Sequence, residues 1–319
     1  MPDSKLTEVA QHAWLKTRVA LQGYRPELYR FCRSLTRSAW DAEDLVQETL
    51  LRAFVALGSQ YGQSIDNPRA WLFRIASNAW IDRRRRGDEV LVDAPFDGSP
   101  TDPQRTREAV ASLLGLLSPH ERVAVVLREA FDLSLEEIAD ALGTTPGSVK
   151  TALHRGRGKL ASPAVELPKT AAPAAIVEFC AAFNAGDLGR LTSLLLEGAV
   201  VELPGVAVDF GVAATTNRTT GILYHSLLEP LSAGVPAAFL TDYLPAPPRV
   251  ELRSCHDEQV LLIWYRHHQG EAVRCFVLLQ VDPGSGKIAR VREYYYSPDA
   301  LAELAAELAV PFRSNGYGA

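Results

Sequence analysis

The chain has 319 residues, 47% of them hydrophobic, which is enough to fill cores in two or three domains. Ordinary aromatic content (8%) and charge (22%) exclude wholesale disorder. The net charge of −5 hides an asymmetry, with 22 basic against 21 acidic residues in 1–165 and 11 against 17 in 166–319. A locally basic first half suits a polyanion, and an acidic second half does not. The four cysteines, Cys32, Cys180, Cys255 and Cys275, are scattered with no CxxC pair, so reduced, buried thiols are expected rather than a disulfide or a metal site. No apolar run approaches the ~20 residues of a membrane span, and the first residues lack the apolar core of a signal peptide. A cytoplasmic protein without membrane contact or cofactor is expected.

The periodicity predicts helices over 6–21 and 24–37, the second with Leu28, Phe31, Cys32 and Leu35 inward. From 41 to 57 apolar residues recur at 42, 46, 50, 53, 54 and 57, while Asp41, Asp44 and Glu48 share another face as an acidic ridge. Asn67 is a good cap and Pro68 suits a first turn, so a further helix runs from there to Arg86. Its Leu72, Ile75, Ala76 and Ala79 point inward, its Arg74, Asn78, Asp82 and Arg85 outward, and it ends in four arginines. These helices make a domain over 1–86. A linker follows at 87–102, with five acids, no bases, two prolines and two glycines.

Residues 103–162 read as a second helical domain. One helix runs to Leu117, and Ser118 with Pro119 starts the next. Ser134 and Glu137 form a capping box, Gly143 permits a left-handed turn, and Thr145 with Pro146 starts another helix. Helix, glycine turn, capped helix is a helix-turn-helix. Val149, Leu153 and Leu160 pack, leaving Ser148, Lys150, Thr151, His154, Arg155, Arg157 and Lys159 outward. That face supplies cations for phosphates and short polar side chains for base edges.

After a linker at 163–173 the pattern becomes α+β over 174–310, with a tail at 311–319. Helices are predicted at 174–185, 187–196, 219–231 and 298–308, and strands at 199–203, 249–255, 259–267, 273–281 and 288–296. The turn at 282–287 makes a hairpin, and a curved antiparallel sheet is expected. Candidate acid/base groups there are Asp209, His225, Asp242, His256, His267 and His268, but no spacing implies a dyad or a metal site, and satisfied or exposed histidines are the blander reading.

Two motifs carry a resemblance. Asp41, Ala42, Glu43, Asp44, Leu45, Val46, Gln47, Glu48 and Thr49, followed by the run from Trp71 to Asp82, resemble region 2 of a bacterial sigma-70-type factor of the extracytoplasmic-function (ECF) group. The run from Phe183 to Leu191, then Ala199 to Gly205, resembles the SnoaL-like cone of the nuclear-transport-factor-2 superfamily. The first resemblance implies that Asp41, Asp44, Gln47 and Glu48 dock on core RNA polymerase. It implies that Tyr61, Asn67, Trp71, Arg74, Asn78, Arg83, Arg84 and Arg85 meet the −10 element, partly as single strands, with Trp71, Phe73 and Trp80 available for stacking. Primary factors place two adjacent aromatics where this chain has Trp71 and Leu72, which suggests weaker melting. The helix-turn-helix, through Ser148, Lys150, Thr151, His154, Arg155 and Arg157, would read double-stranded −35 DNA, and the 87–102 linker would thread the polymerase cleft.

The expected function is therefore promoter-directed initiation by a non-enzymatic factor, with the acidic C-terminal domain regulating it in cis. The alternative is a ligand-sensing or enzymatic cone fused to a DNA-binding regulator, with a small molecule or an intramolecular segment as its ligand. A plain repressor would leave the 41–86 block without a role.

Overall fold

The computed structural model describes residues 13, 16–17, 19–59, 65–86, 117–160, 172–234, 243–255 and 258–314. Most of the helix expected over 6–21, Tyr61 and its loop, the 87–102 linker, nearly all of the helix expected over 103–117, most of the 163–173 linker, Asp242, His256 and the end of the tail lie outside these residues. The chain divides into two compact units, Met1–Pro168 and Lys169–Ala319.

The first unit is helical among its described residues. Helix α1 (Arg25–Thr36) buries Leu28, Phe31, Cys32 and Leu35, the stripe expected from its spacing. Helix α2 (Ala39–Ser59) buries Ala42, Val46, Leu50 and Ala53, while Leu57 is exposed. Helix α3 (Pro68–Arg86) starts as its sequence dictates, with Asn67 Oδ1 accepting from the amide of Ala70 at 3.0 Å. Its apolar residues are not confined to one stripe, and Trp71, Leu72, Phe73, Ala76, Ala79, Trp80 and Ile81 are all buried. A helix with this distribution needs partners on more than one side. It has them, because α3 packs on α1 and α2 and also on helices α4 (Pro119–Glu129) and α5 (Leu135–Leu142). Reciprocal capping boxes start α4, from Ser118 with Glu121, and α5, from Ser134 with Glu137. Gly143 ends α5 at φ 60°, and helix α6 (Pro146–Leu160) follows behind Thr145, whose hydroxyl accepts from the amide of Ser148 at 3.2 Å.

The second unit is α+β. Helices α7 (Ala174–Asn184) and α8 (Leu188–Ser193) precede strands β1 (Leu195–Leu203) and β2 (Ala207–Phe210) and a short helix α9 (Val212–Thr215). A π-helical turn at Tyr224–Leu228 runs into α10 (Glu229–Ala233). Strands β3 (Arg249–Cys255), β4 (Glu258–His267), β5 (Gly270–Val281) and β6 (Ile288–Glu293) and helix α11 (Pro298–Glu307) complete it. One six-stranded sheet has the order β2-β1-β6-β5-β4-β3 and does not close.

The sheet corrects one expectation, because it is mixed rather than antiparallel. Strand β1 lies parallel to β6, with Val201 opposite Val291. The hairpins β3-β4-β5-β6 must be antiparallel, because short turns join them. Strand β1 is separated from β6 by most of the unit, so no turn constrains its direction. Helices α7 and α8 and the π-turn cover one face of the sheet, over a core that includes Phe179, Phe183, Leu227, Ile263, Val277 and Val291.

Candidate nucleic-acid interface

The solvent face of α6 comes first, because the residues on either side of it fix its direction. Val149 and Leu153 are buried, so Ser148, Lys150, Thr151, His154, Arg155, Arg157 and Lys159 all fall outward and exposed. Close approach to α4 comes at Gly156, where an added Cβ would sit 2.8 Å from Val125 Cγ2. The cations divide into two sets. Arg157 Nε donates to Glu129 at 3.1 Å, and Lys159 Nζ to Glu121 at 2.7 Å, so these two are tied back to α4. Lys150 and Arg155 project from the other turns of the same face, with the His154 ring between them. Beside them lies a groove of about 640 Å3 with Leu135 and Leu153 in its lining and Arg128, Lys150, His154 and Arg157 around it.

The acidic ridge on α2 is present as a half-buried row of Asp41, Asp44, Gln47 and Glu48. Much of it is engaged within the unit. Glu48 accepts from Arg52 at 2.6 Å and from Arg83 Nε at 2.7 Å, and Gln47 donates to Glu43 at 2.6 Å. Glu43 itself is fully buried and pairs with Arg25, which is 4% exposed. Sequence reasoning missed this pair. Its signal was available, because position 43 falls one residue off the ridge, toward the apolar stripe. Burial and the Glu43 charge hold the Cys32 thiol far above its ordinary range.

On α3, Arg74, Asn78 and Arg85 are exposed, Arg84 is half-buried, and Arg83 is held by Glu48. Asn67 serves as the helix cap. The three rings available for stacking, Trp71, Phe73 and Trp80, are 9%, 1% and 1% exposed. Phe73 stacks on Phe31 at 4.6 Å, and Phe131, from the turn after α4, meets both rings edge-on.

Among the described residues of the second unit, the expected acid/base groups are engaged locally or exposed. Asp209 caps the amide of Ile222 at 2.7 Å, and His225 faces Glu229 at 3.0 Å on the surface. His268 is exposed, and His267 is buried with its Nδ1 accepting from the amide of Gln269 at 3.2 Å. The polar cluster lies elsewhere. Tyr265 and Tyr295 hydroxyls are 3.0 Å apart, and both approach the carbonyl of Ser226 in the π-turn. A bulge in β5 opposite Ile263 and Trp264 takes Arg274 out of the register, and its guanidinium lies over the rings of Tyr243, Tyr265 and Tyr295. Glu293 is fully buried, and neither carboxyl oxygen has a hydrogen-bond partner. Burial pushes that carboxyl up to about 8, with the nearby Ser226 side chain offsetting part of the rise. Among the described residues no group of His, Cys, Asp and Glu is arranged to hold a metal, and no helix is long and apolar enough to cross a membrane.

Comparison with known proteins places these surfaces in context. The family model for Sigma-70 region 2 matches residues 20–89, and that for Sigma-70, region 4 matches residues 107–160. The chain is 35% identical over 223 residues to the ECF RNA polymerase sigma factor SigG of Mycobacterium tuberculosis, covering 57% of this chain and 59% of that one. It therefore spans about three fifths of that relative's length. It is 32% identical over 159 residues to the ECF RNA polymerase sigma factor SigW of Bacillus subtilis, covering 43% of this chain and 82% of that one. Among solved structures, the extracytoplasmic function sigma factor SigJ of Mycobacterium tuberculosis is 22% identical, covering 86% of this chain and 95% of that one, with a TM-score of 0.34.

Proposed function

The chain belongs to the ECF RNA polymerase sigma factors, and from that premise we propose that it binds core RNA polymerase and directs it to promoters with its own −35 and −10 sequences. The observation that carries this reading is the face of α6. A doubly capped helix-turn-helix presents Ser148, Lys150, Thr151, His154 and Arg155 together to solvent. Such a helix lies in a major groove, with its cations on phosphates and its shorter side chains on base edges. The second surface is the α2 ridge of Asp41, Asp44, Gln47 and Glu48, which suits a basic partner and is read as the polymerase dock. The third is the exposed edge of α3, with Arg74, Asn78 and Arg85 following the Asn67 cap, read as the −10 contact; Tyr61, outside the described residues, is proposed with them. Arg83 reaches that edge only by exchanging its bond to Glu48.

The C-terminal α+β unit is read as a regulatory domain acting in cis rather than as an enzyme. Among the described residues, Asp209 caps the amide of Ile222, His225 pairs with Glu229 on the surface, and His267 accepts from the amide of Gln269. A small-molecule ligand is a second reading, favoured by the buried cluster of Glu293, Arg274, Tyr265 and Tyr295.

Run-off transcription with purified core polymerase tests the main reading. The full chain should yield a discrete transcript from a cognate promoter. Reversing Asp41 and Asp44 to Lys should abolish co-purification with core enzyme and the transcript together. A transcript independent of this chain, or a reversed variant that still binds core, contradicts it.

A further inference from the structure

The α+β unit departs furthest from an ordinary core at the end of β6. Glu293 is 0% exposed there, and neither of its oxygens has a hydrogen-bond partner. It stands opposite Val277 of β5, on the face that carries the core. From the helical side it is approached by the π-turn Tyr224–Leu228, whose Ser226 hydroxyl is also buried and unpartnered. Such a turn is wider than an α-helical one, is uncommon, and is found often at functional sites. Its entrance is tight, because a Cβ added at Gly221 would sit 2.3 Å from the carbonyl of Thr215. Two side chains hold it to the sheet. The hydroxyls of Tyr265, on β4, and Tyr295, after β6, reach the Ser226 carbonyl at 3.3 Å and 3.0 Å.

We propose that Glu293 and the π-turn form a proton-operated switch. With Glu293 protonated, the two tyrosine hydroxyls clamp the Ser226 carbonyl; with Glu293 ionised, they and the Ser226 hydroxyl turn to the carboxylate and release the turn. The inference rests on the reading of this unit as a regulator in cis and names its input, the proton. A buried carboxylate without donors is too costly to keep, so ionisation must recruit them or open the site to water. Three hydroxyls are at hand. Burial above all keeps both tyrosines protonated and able to donate, and the Glu293 charge adds to that. The other titratable or charged groups nearby, among the described residues, are few. Cys275 on β5 is held neutral by burial, and the Arg274 guanidinium lies over the rings of Tyr243, Tyr265 and Tyr295. On the helical side Cys180 is half-buried, and His225 and Glu229 pair at the surface. The direction follows from linkage. The closed site holds a carboxyl that titrates near 8, against 4.5 when unperturbed. Between those values the closed state keeps a proton that the open state lacks, so rising pH favours opening, about tenfold per pH unit.

The test follows hydrogen exchange at the π-turn amides in the full chain between about pH 6 and about pH 8. Glu293→Gln, which keeps the size and neutrality of the protonated carboxyl, is measured alongside and cancels the intrinsic pH dependence of exchange. Relative to that variant, protection of the turn in wild type should fall about tenfold per pH unit. Tyr265→Phe with Tyr295→Phe, which cuts the clamp, should lower protection across the whole range. Wild type that tracks the Gln variant at every pH overturns the switch, as does a double Phe variant protected as well as wild type. Run-off transcription with core polymerase then separates the switch from the reading it rests on. The ratio of transcript from wild type to that from Glu293→Gln, in which pH effects on the polymerase cancel, should change over the same range. If exchange reports the switch while this ratio stays constant, regulation in cis fails and the switch stands.

Discussion

Glu43 is the residue with the most to lose in the first unit. It is fully buried, charged, and answered by Arg25 from the start of α1. Removing one partner of such a pair strands the other in a low-dielectric interior. Glu43→Ala should therefore cost about 3–5 kcal/mol in urea unfolding, while Glu43→Ala with Arg25→Met should recover most of it. Glu293 poses a different problem, since it is buried with no partner on either oxygen. Unfolded, its carboxyl titrates near 4.5; folded, near 8. Between those values the folded state holds a proton that the unfolded state has lost. The contribution is fully present below about 4.5 and is lost as the pH rises toward 8. The thermal transition of the α+β unit should fall as buffer is taken up through that window, and Glu293→Gln should remove most of the slope. A transition that is flat across the window in wild type would show that the carboxyl is not held as described.

At the scale of elements, α6 against α4 is the packing on which the proposed DNA-reading face depends. Gly156 is there for space, since an added Cβ would sit 2.8 Å from Val125 Cγ2, on a stiff, β-branched side chain. Alanine in a helix gains up to about 1 kcal/mol over glycine, but overpacking costs about 1–3 kcal/mol. Gly156→Ala should come out destabilised, and α6 should tilt, weakening −35 binding in a mobility-shift assay. Gly158→Ala, where nothing lies within 4 Å, should be neutral or better by the same assay. The contrast shows what was legible beforehand. The caps at Ser118, Ser134 and Thr145, the left-handed Gly143 and five of the six strands follow from local chemistry, and the structure has them. The burial of Trp71, Phe73 and Trp80 does not follow, because rings at helical spacing read alike whether a neighbour covers them or a base will. Neither does the parallel β1–β6 pairing, which no turn specifies, nor the inward Arg274, which requires a bulge that shifts the register by one. Glu293 was legible in part. It sits two residues past Val291 on an alternating strand, so its parity already pointed it at the core.

On the proposed function, the chain joins a half that approaches a polyanion to one whose net charge is repelled by it. Residues 166–319 carry 11 basic against 17 acidic side chains, while 1–165 are close to neutral, with ten of their 22 cations on α3 and α6. DNA binding draws its affinity from phosphate neutralisation. An acidic domain tethered to the binding halves lowers the local potential and opposes that approach, whatever its orientation. A chain ending at Leu160 should therefore bind promoter DNA more tightly, and give more run-off transcript at limiting concentration, than the full chain. Because the opposition is electrostatic, it should fade as salt shortens the Debye length from about 10 Å at 0.1 M toward about 3 Å at 1 M. Full and truncated chains should thus differ most in dilute buffer and converge as salt rises. A difference that persists undiminished at high salt would point instead to a specific contact made by the α+β unit. Equal activity at every salt concentration would leave that unit without a regulatory role in initiation.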